Sequence, residues 1–65
     1  MRVKGVTLTA DSLVEHKISL SIRHHTGKTI SQSRELAKQI LNGVPVEFDD
    51  DWALEQDLKD LGVKF

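Results

Sequence analysis

Sixty-five residues, nine basic and ten acidic for a net charge of −1, make one small domain over 1–65 with no general attraction to nucleic acid or to anionic membrane. The chain has no cysteine, which excludes disulfides and thiolate chemistry and, in so short a domain, points to a cytoplasmic setting. No apolar run approaches the ~20 residues of a membrane span, and no signal-peptide core follows Met1.

Arg2 to Thr9 predicts a strand. Val6 and Leu8 alternate with Thr7 and Thr9, Val3 is out of phase, and Gly5 stands where a bulge restores the phase. Ala10-Asp11-Ser12 breaks the pattern, and Ser12-Leu13-Val14-Glu15 has the spacing of a capping box. Leu13 to His25 carries two patterns at once. As a helix, Val14, Ile18, Ile22 and His25 share one side, with Leu13 and Leu20 off to the side; as a strand, Lys17 to Arg23 alternates without a fault. Gly27 ends either element.

The next helix is better punctuated. Thr29 is followed three positions later by Gln32, the capping-box spacing, with Ser31 as a competing cap. Leu36, Ala37, Ile40 and Leu41 form one apolar face, Arg34, Glu35, Lys38 and Gln39 point away, and Asn42-Gly43 supplies a left-handed stop. Val44, Val46 and Phe48 then alternate as on a half-buried strand, and Pro45, lacking an N–H, fits an edge or a first position. Asp49, Asp50 and Asp51 suit the positive end of a third helix, whose buried stripe is Leu54, Leu58 and Leu61 headed by Trp52 or Ala53. Glu55 and Lys59 are an i,i+4 pair in the favourable order. Gly62 stops this helix, and Val63-Lys64-Phe65 is a closing strand.

Motifs that would carry catalysis or a cofactor fail on spacing. Gly27-Lys28-Thr29 suggests a phosphate loop, but Ile22 stands where that loop needs its first glycine. His16, His24 and His25 suggest a metal, yet adjacent residues project apart and no further ligand pair completes a set, so no metal or other cofactor is expected. One of these histidines packed beneath the turn accounts for them better. The aspartate run lacks the alternating ligands and distal glutamate of a calcium loop, and capping explains it. No nucleophile–base pair is present, so no catalytic residue is assigned and the chain is not expected to be an enzyme. What remains is a basic cluster around the Thr26-Gly27 corner: Arg23, His24, His25, Lys28, Arg34 and Lys38.

Ile22-Arg23, Thr26-Gly27, Arg34-Glu35-Leu36, Asn42-Gly43, the three leucines of the last helix and Gly62-Val63 together give a pattern that resembles the C-terminal domain of the bacterial ribosomal stalk protein. The resemblance spans nearly the whole chain. It departs at Lys28-Thr29-Ile30, where the family has a glycine-leucine turn, and at Glu15, where the family has a basic residue. It implies that residues 13–25 are helical. The expected fold is therefore an α+β, β-α-α-β-α-β two-layer sandwich: a three-stranded antiparallel sheet with three helices on one face. A strand over 13–25 would give β-β-α-β-α-β instead. The resemblance also implies a non-enzymatic interaction module whose first two helices contact the translation machinery. On that reading the basic cluster meets an acidic patch on a protein partner such as a translation factor. The alternative is a small nucleic-acid-binding protein using the same basic face; no membrane partner is expected.

Overall fold

The computed structural model describes residues 1–6 and 12–65. The expected run of the first strand through Leu8 and Thr9, its break at Ala10-Asp11, and the side chain of Ser12 in the first capping box lie outside the described residues. The elements are β1 (Arg2–Val3), β2 (Gly5–Val6), α1 (Ser12–Thr26), α2 (Ile30–Leu41), β3 (Val46–Glu47), α3 (Trp52–Asp60) and β4 (Val63–Lys64).

The α+β class holds, but the strands do not form the expected three-stranded sheet. They form two two-stranded antiparallel sheets, β1 with β3 and β2 with β4. Arg2 stands opposite Glu47 and Val3 opposite Val46; Gly5 stands opposite Lys64 and Val6 opposite Val63. The cause is at Gly5, whose φ of 138° is open to glycine and strained for any residue with a Cβ. It turns the chain so that one segment exchanges partners. Before the turn, the Phe48 amide donates to the Met1 carbonyl; after β1, the Lys4 amide donates to the Lys64 carbonyl, both at 2.9 Å. The bulge expected at Gly5 is thus a switch between two ladders. Pro45 precedes β3, which pairs only with β1 and so has a free edge among the described residues, where a missing N–H costs nothing.

Residues 13–25 are helical throughout. Packing decides between the two patterns. A strand would place Ile18, Leu20 and Ile22 on one face, whereas here Ile18 and Ile22 are fully buried and Leu20 is 47% exposed. Val14 and His25 are half-buried beside them, and Leu13 is exposed. The Thr26 hydroxyl donates to the Ile22 carbonyl at 2.6 Å, satisfying a last-turn acceptor. Arg23, His24 and His25 occupy the negative end of the helix dipole. In α2 both halves of the capping box form: the Thr29 hydroxyl accepts from the Gln32 amide at 3.1 Å, and the Gln32 side chain accepts from the Thr29 amide at 3.2 Å. In α3 the Asp51 carboxylate caps the Leu54 amide at 3.1 Å.

The core draws Val3 from β1, Ile18 and Ile22 from α1, Ala37 and Ile40 from α2, Val46 from β3, Leu54 and Leu58 from α3, and Val63 from β4, with Phe48 at its margin. α1 packs along α2 and also against α3; α2 touches β2 and β3, and α3 touches β4. Trp52 does not head the buried stripe: it is 75% exposed, and Ala53 is exposed as well. Trp52 precedes Leu54 by two positions, about 200° around the helix, so burying Leu54 turns the indole outward. Among the described residues no helix is long and apolar enough to cross a membrane.

Candidate interaction groove

Because α1 ends at Thr26 and α2 begins at Ile30, the outward sides of the two helices lie next to each other. Between them runs a groove of about 450 Å³, lined by Glu15, His16, Ser19, Leu20 and Arg23 of α1 and by Ile30 and Arg34 of α2. Helical spacing sets this lining. Arg23 follows Leu20 by three positions and Arg34 follows Ile30 by four, so each helix presents one apolar side chain with a guanidinium on the same face. Leu20 is 47% and Ile30 55% exposed. Arg23 and Arg34 are exposed, and neither is in an ion pair among the described residues. A guanidinium keeps its charge at any physiological pH and offers a planar fork of donors to a carboxylate. The groove therefore pairs an apolar floor with two cations that have no ion-pair partner among the described residues, where Glu15 is the one carboxylate of its lining.

The expected basic face is divided by the fold. Arg23 and Arg34 converge on the groove, and His24 adjoins it in a hollow shared with Leu20 and Arg23. His25 and Lys28 line a different cleft of about 390 Å³, together with Glu47 and the Asp49–Asp51 run. Lys38 is exposed on α2 and lines neither. The division follows from α1 itself: residues 23, 24 and 25 are about 100° apart, and the one three positions after the buried Ile22 turns toward the core side. That residue is His25. Its Nε2 lies 2.6 Å from the Asp57 carboxylate, with the imidazole 14% exposed, and it ties the end of α1 to α3. This is the histidine packed beneath the turn that the sequence suggests.

Three of the four acidic residues of the second cleft have contacts within the chain. The Glu47 carboxylate pairs with Arg2 at 2.8 Å, Asp50 pairs with the Met1 ammonium at 2.9 Å, and Asp51 caps α3. The hydrogen bond from that ammonium, with its charge, holds the Asp50 carboxyl below the usual range. The His24 and His25 rings meet edge to face with centroids 4.9 Å apart. No group of three or more side chains that could hold a metal ion occurs among the described residues. Lys28 and Thr29 belong to the connection after a helix and the cap of the next, not to a loop following a strand.

Leu20 and Ile30 are the groove residues that the charge pattern does not reveal. Their signal is negative: Leu20 falls off the buried side of α1, and Ile30 precedes the apolar face of α2 by six positions. Comparison with protein-family models, curated proteins and solved structures finds no match to this chain.

Proposed function

We propose that this chain is a non-enzymatic interaction module whose α1–α2 groove holds a segment of a protein partner carrying carboxylates beside an apolar anchor. The observation that carries this reading is the placement of Leu20 and Ile30, both about half exposed, between two guanidinium groups that have no ion-pair partner among the described residues. Arginine is among the residues enriched in interface hot spots, the two aliphatic side chains give a partner's apolar anchor a surface to bury against, and each arginine adds a charge-assisted contact to an acidic partner. The resemblance of the chain to the stalk C-terminal domain makes a translational GTPase the first partner to test.

A nucleic-acid reading has less support. With His25 and Lys28 turned to an acidic cleft, the cations do not make one continuous track for a phosphate backbone. The test is a pull-down with purified translation factors using wild type and the double charge reversal Arg23→Glu/Arg34→Glu. Losing two charge-assisted contacts weakens binding by about a hundredfold, while the circular dichroism spectrum stays unchanged. Equal binding by the two proteins excludes the groove as the docking site. Binding of RNA that falls steeply with salt would restore the nucleic-acid reading.

A further inference from the structure

The same chain carries a surface complementary to its own groove. At the start of α3, Trp52 stands 75% exposed, in a hollow that it shares with Met1, Asp50, Asp51 and Glu55. Asp49 is exposed just before it. Three carboxylates thus share a hollow with the largest exposed apolar side chain and a fourth, Asp49, stands three positions before it in the chain, against two cations among the described residues, the Met1 ammonium on Asp50 and Lys59 at 3.8 Å from Glu55. The groove has the opposite character: exposed Leu20 and Ile30 with Arg23 and Arg34. An acidic indole knob and a basic apolar groove on one molecule are opposite in charge and both partly apolar.

We infer that the groove takes Trp52 and its flanking carboxylates from a second copy of this chain, in a head-to-tail contact. This rests on the groove reading above and names one occupant for it. Two copies do not pair groove to groove, because that arrangement sets Arg23 and Arg34 of one against those of the other, and like charges in a closing interface repel. Knob to groove instead matches negative to positive and buries an indole against two aliphatic side chains. The net charge of −1 leaves little overall repulsion between copies to oppose it. Because the contact joins two different surfaces, a bound pair still offers one free knob on one copy and one free groove on the other, so the assembly grows beyond a dimer. An acidic partner that enters the groove displaces the neighbouring copy, so self-assembly and partner binding compete.

The chain has one tryptophan, so the knob reports on itself. In the wild type at low salt, sedimentation velocity should show species growing past the dimer with concentration, and Trp52 emission should shift to the blue in parallel. Raising salt should reverse both, since screening shortens to ~3 Å at 1 M. Trp52→Ala and Arg23→Glu/Arg34→Glu should each stay monomeric, with association weakened roughly thirtyfold or more. Mixing these two variants is the decisive arm. One keeps only a groove and the other only a knob, so the mixture should form a 1:1 complex that grows no further, with a blue shift from the single remaining Trp52. Arg23→Gln/Arg34→Gln replaces the charge reversal if that variant loses its helical spectrum. A wild type that is monomeric throughout, association that survives Trp52→Ala, or a mixture that stays monomeric would each overturn the inference. A labelled synthetic peptide of glutamates and leucines separates this from the groove reading. Peptide bound through Arg23 and Arg34 without self-association removes only the second copy as occupant; no peptide binding removes the groove as well.

Discussion

Ser33 is fully buried on the inner side of α2, and its hydroxyl has no hydrogen-bond partner among the described residues. Dehydrating a hydroxyl without replacing its hydrogen bonds costs about 1–3 kcal/mol, and alanine is also the better helix former. Ser33→Ala is therefore expected to raise stability by about 1 kcal/mol, seen as a higher denaturant midpoint with an unchanged slope. A lower midpoint would mean that the hydroxyl is held by something other than the described residues. The contrast with Thr26 is instructive. That hydroxyl, also on a helix, is exposed enough to be solvated and still donates to the Ile22 carbonyl, so it closes a turn instead of being stranded. Residue-scale reading of the sequence does not separate these two cases, because serine and threonine carry the same chemistry and only the tertiary neighbours decide whether it is met.

At the scale of elements, α2 was legible because its boundaries are chemical. Thr29 and Gln32 meet reciprocally as their spacing requires, and Gly43 takes the left-handed φ of 77° that the Asn42-Gly43 pair announces. Thr29→Ala should cost about 1 kcal/mol, measured by thermal or chemical unfolding, with Thr29→Ser close to wild type because the hydroxyl is kept. A loss as large for Thr29→Ser would assign the effect to the methyl group and not to the cap. The Glu55–Lys59 pair and the Leu54–Leu58 stripe of α3 were legible for the same reason, since both follow from helical spacing alone. The strands were not. Each is two residues long, too short for alternation to fix register, and the exchange of partners at Gly5 depends on where β3 and β4 arrive from forty or more residues away. Trp52 was misplaced because an apolar residue at the head of a leucine stripe looks like part of it until the angle from Leu54 is counted. The basic cluster was legible as composition, but its division was not, because that needed the position of α3 beneath His25.

At the scale of the whole molecule, the buried face that supports the fold and the face proposed for recognition lie on opposite sides of α1. The inner side holds Ile18 and Ile22 at the junction where α1 meets both α2 and α3. The outer side holds Leu20 and Arg23 in the groove. In a chain this short the core supplies only ~3–5 kcal/mol in total, while truncating a buried isoleucine to alanine costs ~2–5 kcal/mol. Ile22→Ala should therefore leave most molecules unfolded at room temperature, with collapsed amide dispersion in the NMR spectrum. Leu20→Ala, two positions away, removes a side chain already half in water, so stability should change by no more than ~0.5 kcal/mol and the spectrum should stay dispersed. Its effect belongs to recognition: with one of the two apolar contacts gone, binding of an acidic partner or of a second copy should weaken by about tenfold. The pair of substitutions tests the assignment of the two sides together. If Leu20→Ala unfolds the chain, the outer side of α1 is part of the fold's support and cannot be an independent docking surface. If Leu20→Ala is folded and binds as well as wild type, the arginines recognise the partner without an apolar floor, and the groove reduces to a pair of charges.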